Sequence, residues 1–149
     1  MSTTTGGPIL AVGGSTAELS HADLAAFVSD IASEIARTGA RRVLLVPPDQ
    51  TRLHSRAGEI VAQLFALLEG DIERVEVMPA LGTHQPLGPA ECRLMFGDAI
   101  DPTRLLHHRW RDDVTTLGEL PADEVDAVVG RSLGLSLPFA VNHALADDW

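Results

Sequence analysis

"RRVLLVPPDQTRLHS", Arg41 to Ser55, is the stretch on which the fold turns. Its apolar run, Val43 to Val46, is continuous rather than alternating, the pattern of a strand buried on both faces, as in a parallel sheet. A polar loop, Asp49 to Arg52, follows directly at the carboxyl end of that strand. Upstream, Leu24, Phe27, Val28, Ile31 and Ile35 recur at helical spacing, and Ser20 with Asp23 has the form of a capping box. The spacing predicts a helix from about His21 to Arg37, stopped at Thr38-Gly39. Downstream, Ile60, Val61, Leu64, Phe65 and Leu68 define one face of a second helix, which Gly70 ends. Val75 and Val77 then alternate in a further strand before "MPALGTH", and Gly88-Pro89 opens a short helix that Gly97 closes.

Strands alternating with helices imply an α/β domain, a mostly parallel sheet flanked by helices in layers. A short strand is also expected at Ile9 to Val12, between glycine pairs. Beyond Gly97 the runs "RLLHHRW", "TTLGEL", "VDAVVG" and "LSLPFAVNHALAD" are short and split by acidic or glycine turns, and are read as strands. No repeat or linker interrupts the chain, so residues 1–149 are expected to form a single domain.

Composition narrows the functional classes. Hydrophobic residues make up 45% and charged residues 21% of the 149, which is ordinary globular usage. A net charge of -10 opposes a phosphate backbone, and 4% aromatics without tyrosine leave few stacking platforms, so nucleic acid is discounted as a partner. The single cysteine, Cys92, excludes an internal disulfide and a cysteine zinc cluster, which fits a reducing compartment. No apolar run reaches the roughly 18 residues of a membrane span. The start "MSTTTGG" lacks the basic and apolar regions of a signal peptide, which makes the cytoplasm the expected location.

Ligands of open α/β sheets bind outside the carboxyl ends of the strands, where neighbouring loops meet. Two loops qualify, "PPDQTR" (Pro47 to Arg52) and "GTHQPL" (Gly82 to Leu87). A right-handed crossover through the helix near residues 55 to 69 would bring both to the same sheet edge. Arg52 offers a planar fork of donors for a carboxylate or phosphate, which Asp49 and Thr51 could orient if they do not hold ligand hydroxyls themselves. His84 can exchange a proton near neutrality. The same residues also describe a strand-end cap with a surface ion pair and an ordinary histidine turn, and taken singly they leave both readings open.

The ordered pair of loops carries more. Asp-x-Thr-Arg after a strand, then about thirty residues on Ala-Leu-Gly-Thr-His-x-Pro before an acidic helix start, resembles the N-terminal domain of the nickel-pincer lactate racemase family. Further along, "HHRWRDD" is similar to the family's Asn-His-Asp segment, "TTLGEL" to its next strand, and "FAVNHALADD" to its Val-x-Val-Asn stretch. The resemblance implies a racemase or epimerase of 2-hydroxy acids. Such enzymes use a nickel-pincer nucleotide that takes a hydride from the substrate carbon while a histidine removes the hydroxyl proton. It implies that His84 is one of two catalytic acid/base histidines, that Arg52 holds the substrate carboxylate, and that Asp49 and Thr51 line the cofactor and substrate cleft.

Three departures bear on substrate choice: Leu53 stands where the family has proline, Gln85 where it has arginine, and Gly88 where threonine is common. The family's second domain carries the other catalytic histidine, the cofactor-tethering lysine and the nickel-binding histidine. The chain is therefore expected to be half of an active site, completed by a missing C-terminal domain or a partner chain. A non-catalytic module of the same fold that binds a small carboxylate, or pairs with a second protein, is the competing expectation.

The remaining candidates are weaker. Adjacent His107 and His108 would face opposite sides of a strand and could not share a metal, so no metal ligand is assigned. His54, just beyond the Asp-x-Thr-Arg loop, could face the cleft, though helix-entry polarity explains it as well, and His143 fits a surface role. Gly13-Gly14 lacks the rest of a phosphate-loop motif. Cys92 falls on the helix after the histidine loop, where packing explains it better than nucleophilic chemistry. The end "ADDW" reads as a solvated tail or a lead into a further domain.

Overall fold

Ser20 sets where the first helix begins. Its Oγ accepts from the Asp23 backbone N–H (3.2 Å) and Asp23 Oδ2 accepts from the Ser20 N–H (2.9 Å). This reciprocal cap satisfies two of the donors a helix start leaves open. The helix, α1, runs His21–Arg37 as the periodicity predicts, and Gly39 with φ of +70° turns the chain out of it. The structure is a computed structural model that describes residues 14–16 and 18–146. The expected strand at Ile9 to Val12 and the chain after Ala146 lie outside the described residues.

Strand β1 (Arg42–Leu45) pairs in parallel with β2 (Arg74–Val77), in the register Val43 to Val75 and Leu45 to Val77. Parallel neighbours need a crossover, and helix α2 (Ala57–Leu68) provides it. The ladder continues past both strands. Met78 N–H donates to the Leu45 carbonyl (2.9 Å), Ala80 N–H to the Pro47 carbonyl (2.7 Å), and Pro48 bridges Ala80. On the other side of β2, Leu106 N–H donates to the Val77 carbonyl (2.8 Å), so β2 lies between two parallel neighbours.

The alternation in β2 turns Val75 and Val77 into the core while Glu76 stays half-buried. They meet Val61, Leu64, Phe65 and Leu68 of α2, Val28 and Ala32 of α1, and Cys92, Met95 and Phe96 of α3 (Pro89–Phe96). Gly58 permits the closest of these approaches: a Cβ there would sit 2.1 Å from the Met95 carbonyl oxygen.

After Ile100 the architecture changes. Strands β3 (Val114–Leu120) and β4 (Leu137–Asn142) pair antiparallel, with a register shift between Thr116 and Gly118 where Phe139 covers the glycine. Helix α4 (Ala122–Val129) joins them and the short α5 (His143–Ala146) follows. The fold is α/β, as expected, with a small parallel sheet and a separate antiparallel pair.

Three local expectations are corrected. "VDAVVG" is helical, the end of α4, because Pro121 precedes a first turn bearing Asp123 and Glu124, and Gly130 closes it with φ of +75°. The Val43 to Val46 run is not covered on both faces among the described residues: Leu45 is buried, whereas Val46 is 43% exposed. Of "RLLHHRW", only Leu105 and Leu106 follow β2 as strand-like backbone.

Candidate active site

The extended ladder from Pro47 to Ala80 brings the two singled-out loops together, since each leaves its strand at the same edge and level. Beyond Pro48 the chain turns into a 3₁₀ segment, Gln50–Ser55, with Asp49 as its cap. Asp49 Oδ1 accepts from the Thr51 N–H (3.0 Å) and from the Thr51 hydroxyl (2.5 Å). This is the local bonding that suits Asp to a helix start. The carboxylate is thereby turned inward, and the residue is only 3% exposed.

Its second oxygen meets the other loop. Asp49 Oδ2 is hydrogen-bonded to His84 Nδ1. The His84 backbone N–H donates to the Leu81 carbonyl (3.0 Å), which folds the Gly82 turn, where φ is +58°. The histidine side chain remains 54% exposed. Burial pushes the Asp49 carboxyl up, but the Thr51 hydroxyl, the His84 ring and the Thr51 N–H outweigh it and hold the group below the usual aspartate range. Asp49 is thus an anion at neutral pH, and an anion at Nδ1 keeps the proton on that nitrogen. In a neutral ring this leaves the lone pair on Nε2, the nitrogen that faces away from Asp49.

Arg52 follows Thr51 in the same turn, its N–H bonded to the Asp49 carbonyl (3.0 Å). Its backbone, with φ of -108° and ψ of 26°, departs from helical geometry, and the residue is exposed. Among the described residues its guanidinium has no ion-pair or hydrogen-bond partner. The expected orientation of Arg52 by Asp49 is not what the structure holds, because Asp49 serves Thr51 and His84. The sequence reading missed this aspartate–histidine contact. Its signal was present in two polar loops on one sheet edge, one of which opens on an acid.

Of the other histidines, His54 lies in the same 3₁₀ segment as Arg52, whereas His107 and His143 lie away from it. His107 and His143 line a cleft with Arg74, Arg109 and Asn142, and His143 Nδ1 pairs with the Thr115 hydroxyl (3.0 Å). Among the described residues no group of three or more His, Cys, Asp or Glu side chains could hold a metal ion. Cys92 is fully buried, and burial followed by the Asp101 charge pushes its thiol up, away from a reactive thiolate. No helix of the described residues is long and apolar enough to cross a membrane.

The family model for the lactate racemase N-terminal domain matches residues 17–132, most of the chain and both loops. The chain belongs to this family. A crystal structure of a protein from Thermotoga maritima superposes with a TM-score of 0.70 at 22% identity, covering 88% of this chain and 32% of that one. At that identity the likeness concerns the fold, and this lactate racemase N-terminal domain spans about a third of that protein's length. No curated protein matches the chain.

Proposed function

We propose that this chain is the substrate-facing half of a cytoplasmic 2-hydroxy-acid racemase or epimerase, a single domain that works with a complementary domain or partner chain. The observation that carries the reading is the buried Asp49 carboxylate on His84 Nδ1, beside an arginine with no partner among the described residues. In this reading Nε2 of His84 takes the substrate hydroxyl proton, and Asp49 stabilises the imidazolium that results. The Arg52 fork holds the substrate carboxylate, which fixes the reacting carbon relative to the imidazole. Thr51 secures Asp49 and lines the same edge.

Racemisation by hydride transfer also needs an acceptor, which in this family is a nickel-pincer nucleotide. The residues present do not supply its attachment. The sequence contains no lysine to tether it, the described residues include no metal-ligating cluster, and both Asp49 oxygens are engaged. The complementary half would have to bring the group.

His84→Ala in the complete, cofactor-loaded protein should abolish interconversion of the two enantiomers of its substrate; retained turnover would overturn the assignment. The Arg52 guanidinium, which has no partner among the described residues, also suits a second reading, a non-catalytic carboxylate-binding module of the same fold. Titration of the chain with 2-hydroxy acids separates the two. Tight binding by the chain alone that is lost in Arg52→Ala supports the module, and binding that requires the complementary half supports the enzyme.

A further inference from the structure

We infer that Gln50 and Glu91 are positioning residues that hold the His84 loop against the sheet edge, an inference that rests on the acid/base reading of His84. Asp49 and Gln50 are neighbours, and each grips one end of the Gly82 to Gly88 loop. Asp49 takes His84 near its start. Gln50 Nε2 donates to Glu91 Oε1 (3.2 Å), and Glu91 Oε2 accepts from the Gly88 N–H at the end of the loop (2.7 Å). Between these grips Gln85 and Pro86 are exposed and Leu87 packs against the core, so the two polar anchors together with Leu87 define where the loop lies. Both start from the backbone just after Pro48, which the Ala80 bridge ties to the sheet.

The cost borne by Gln50 points the same way. The residue is half-buried and its Oε1 is buried with no partner among the described residues. An apolar side chain of similar shape would leave no such orphan. What the amide adds is its one donor bond to Glu91. Glu91 is not needed on Gln50's account to cap α3, which its contact with Gly88 already does. The strap between them joins the two loops independently of the Asp49–His84 bond.

The direction of the bonds gives a test. In Gln50→Glu two carboxylates face one another, so the bond to Glu91 is lost and replaced by repulsion. Combining Gln50→Glu with Glu91→Gln exchanges amide and carboxylate, restores both bonds and keeps the net charge. Gln50→Leu keeps much of the bulk and removes the donor together with the unpartnered oxygen. The readout is the tautomer of His84, from side-chain nitrogen NMR on the chain labelled with nitrogen-15. The native chain should show the Nδ1-protonated form, each single variant a mixture, and the exchange variant a return to the native form. In the complete enzyme the single variants should lower kcat by about 10-fold or more with KM little changed, and the exchange should recover it.

An unchanged tautomer in Gln50→Leu and Gln50→Glu overturns the proposal, including where melting temperature falls. Loss of the Nδ1-protonated form in the native chain would instead overturn the Asp49–His84 geometry beneath the functional reading. Turnover surviving His84→Ala removes that reading and leaves the tautomer result to decide the strap.

Discussion

Asp49 concentrates the chemistry of the two loops in one carboxylate. Its Oδ1 is occupied by Thr51 and its Oδ2 by His84, so its contribution passes through the histidine. Asp49→Asn retains the shape but sets an amide against Nδ1, which favours the wrong tautomer. In the complete enzyme kcat should fall roughly 10²- to 10⁴-fold with substrate affinity largely kept, measured by steady-state kinetics. The same group links stability to pH. Its carboxyl is held below the unfolded value in the native state, so the stability it provides is fully present above about pH 4 and is lost as pH falls through its native value. Melting temperature should therefore decline on acidification below about pH 4, and less steeply in Asp49→Asn. Some decline should survive in that variant, because Asp23, Glu59, Asp101 and Asp126 are also held low. The residue types of this site were legible in "DQTR" and "GTH". Their pairing was not, since a carboxylate near an arginine in sequence says nothing about which group it faces across 35 positions.

At the scale of elements, caps and periodicity were good guides. The Ser20–Asp23 pair and the 3.6-residue repeat placed α1, and Pro89 with Gly97 placed α3. The failure at α4 has a simple origin: a short run of valines suits a strand as well as a helix, and the Pro-Ala-Asp-Glu start was the better signal. Helix packing was not legible at all. Gly58 reads in sequence as a weak residue in a helix, yet it faces the Met95 backbone of α3. Gly58→Ala gains helix propensity but drives its methyl into that carbonyl. The loss should outweigh the gain, with a net destabilisation of about 1–3 kcal/mol in urea unfolding and no change in the slope. A gain in stability would show that α2 and α3 can separate without cost.

The whole molecule divides unevenly. The core cluster draws on α1, the parallel strands, α2, α3 and Ile100, and none of its fully buried members lies beyond Ile100. In the β3–α4–β4 region, Val125 and Asn142 are buried, while Leu117, Val128, Leu135, Leu137 and Phe139 are exposed. Amide hydrogen exchange should follow this division, with the slowest protons at Val77 and Met78 and faster exchange across the β3–β4 pair. Equal protection in both regions would contradict it. The sequence by itself determined the order of elements, the class of the fold and the two loops that bear reactive groups, because these follow from local periodicity, caps and residue chemistry. Only the tertiary structure decided that the small parallel sheet carries the core, that β3 and β4 pair apart from it, and that Asp49 answers to His84 rather than to Arg52. Those outcomes depend on which strands share a ladder, and the bonds from Pro47 to Ala80 join groups that no local pattern connects.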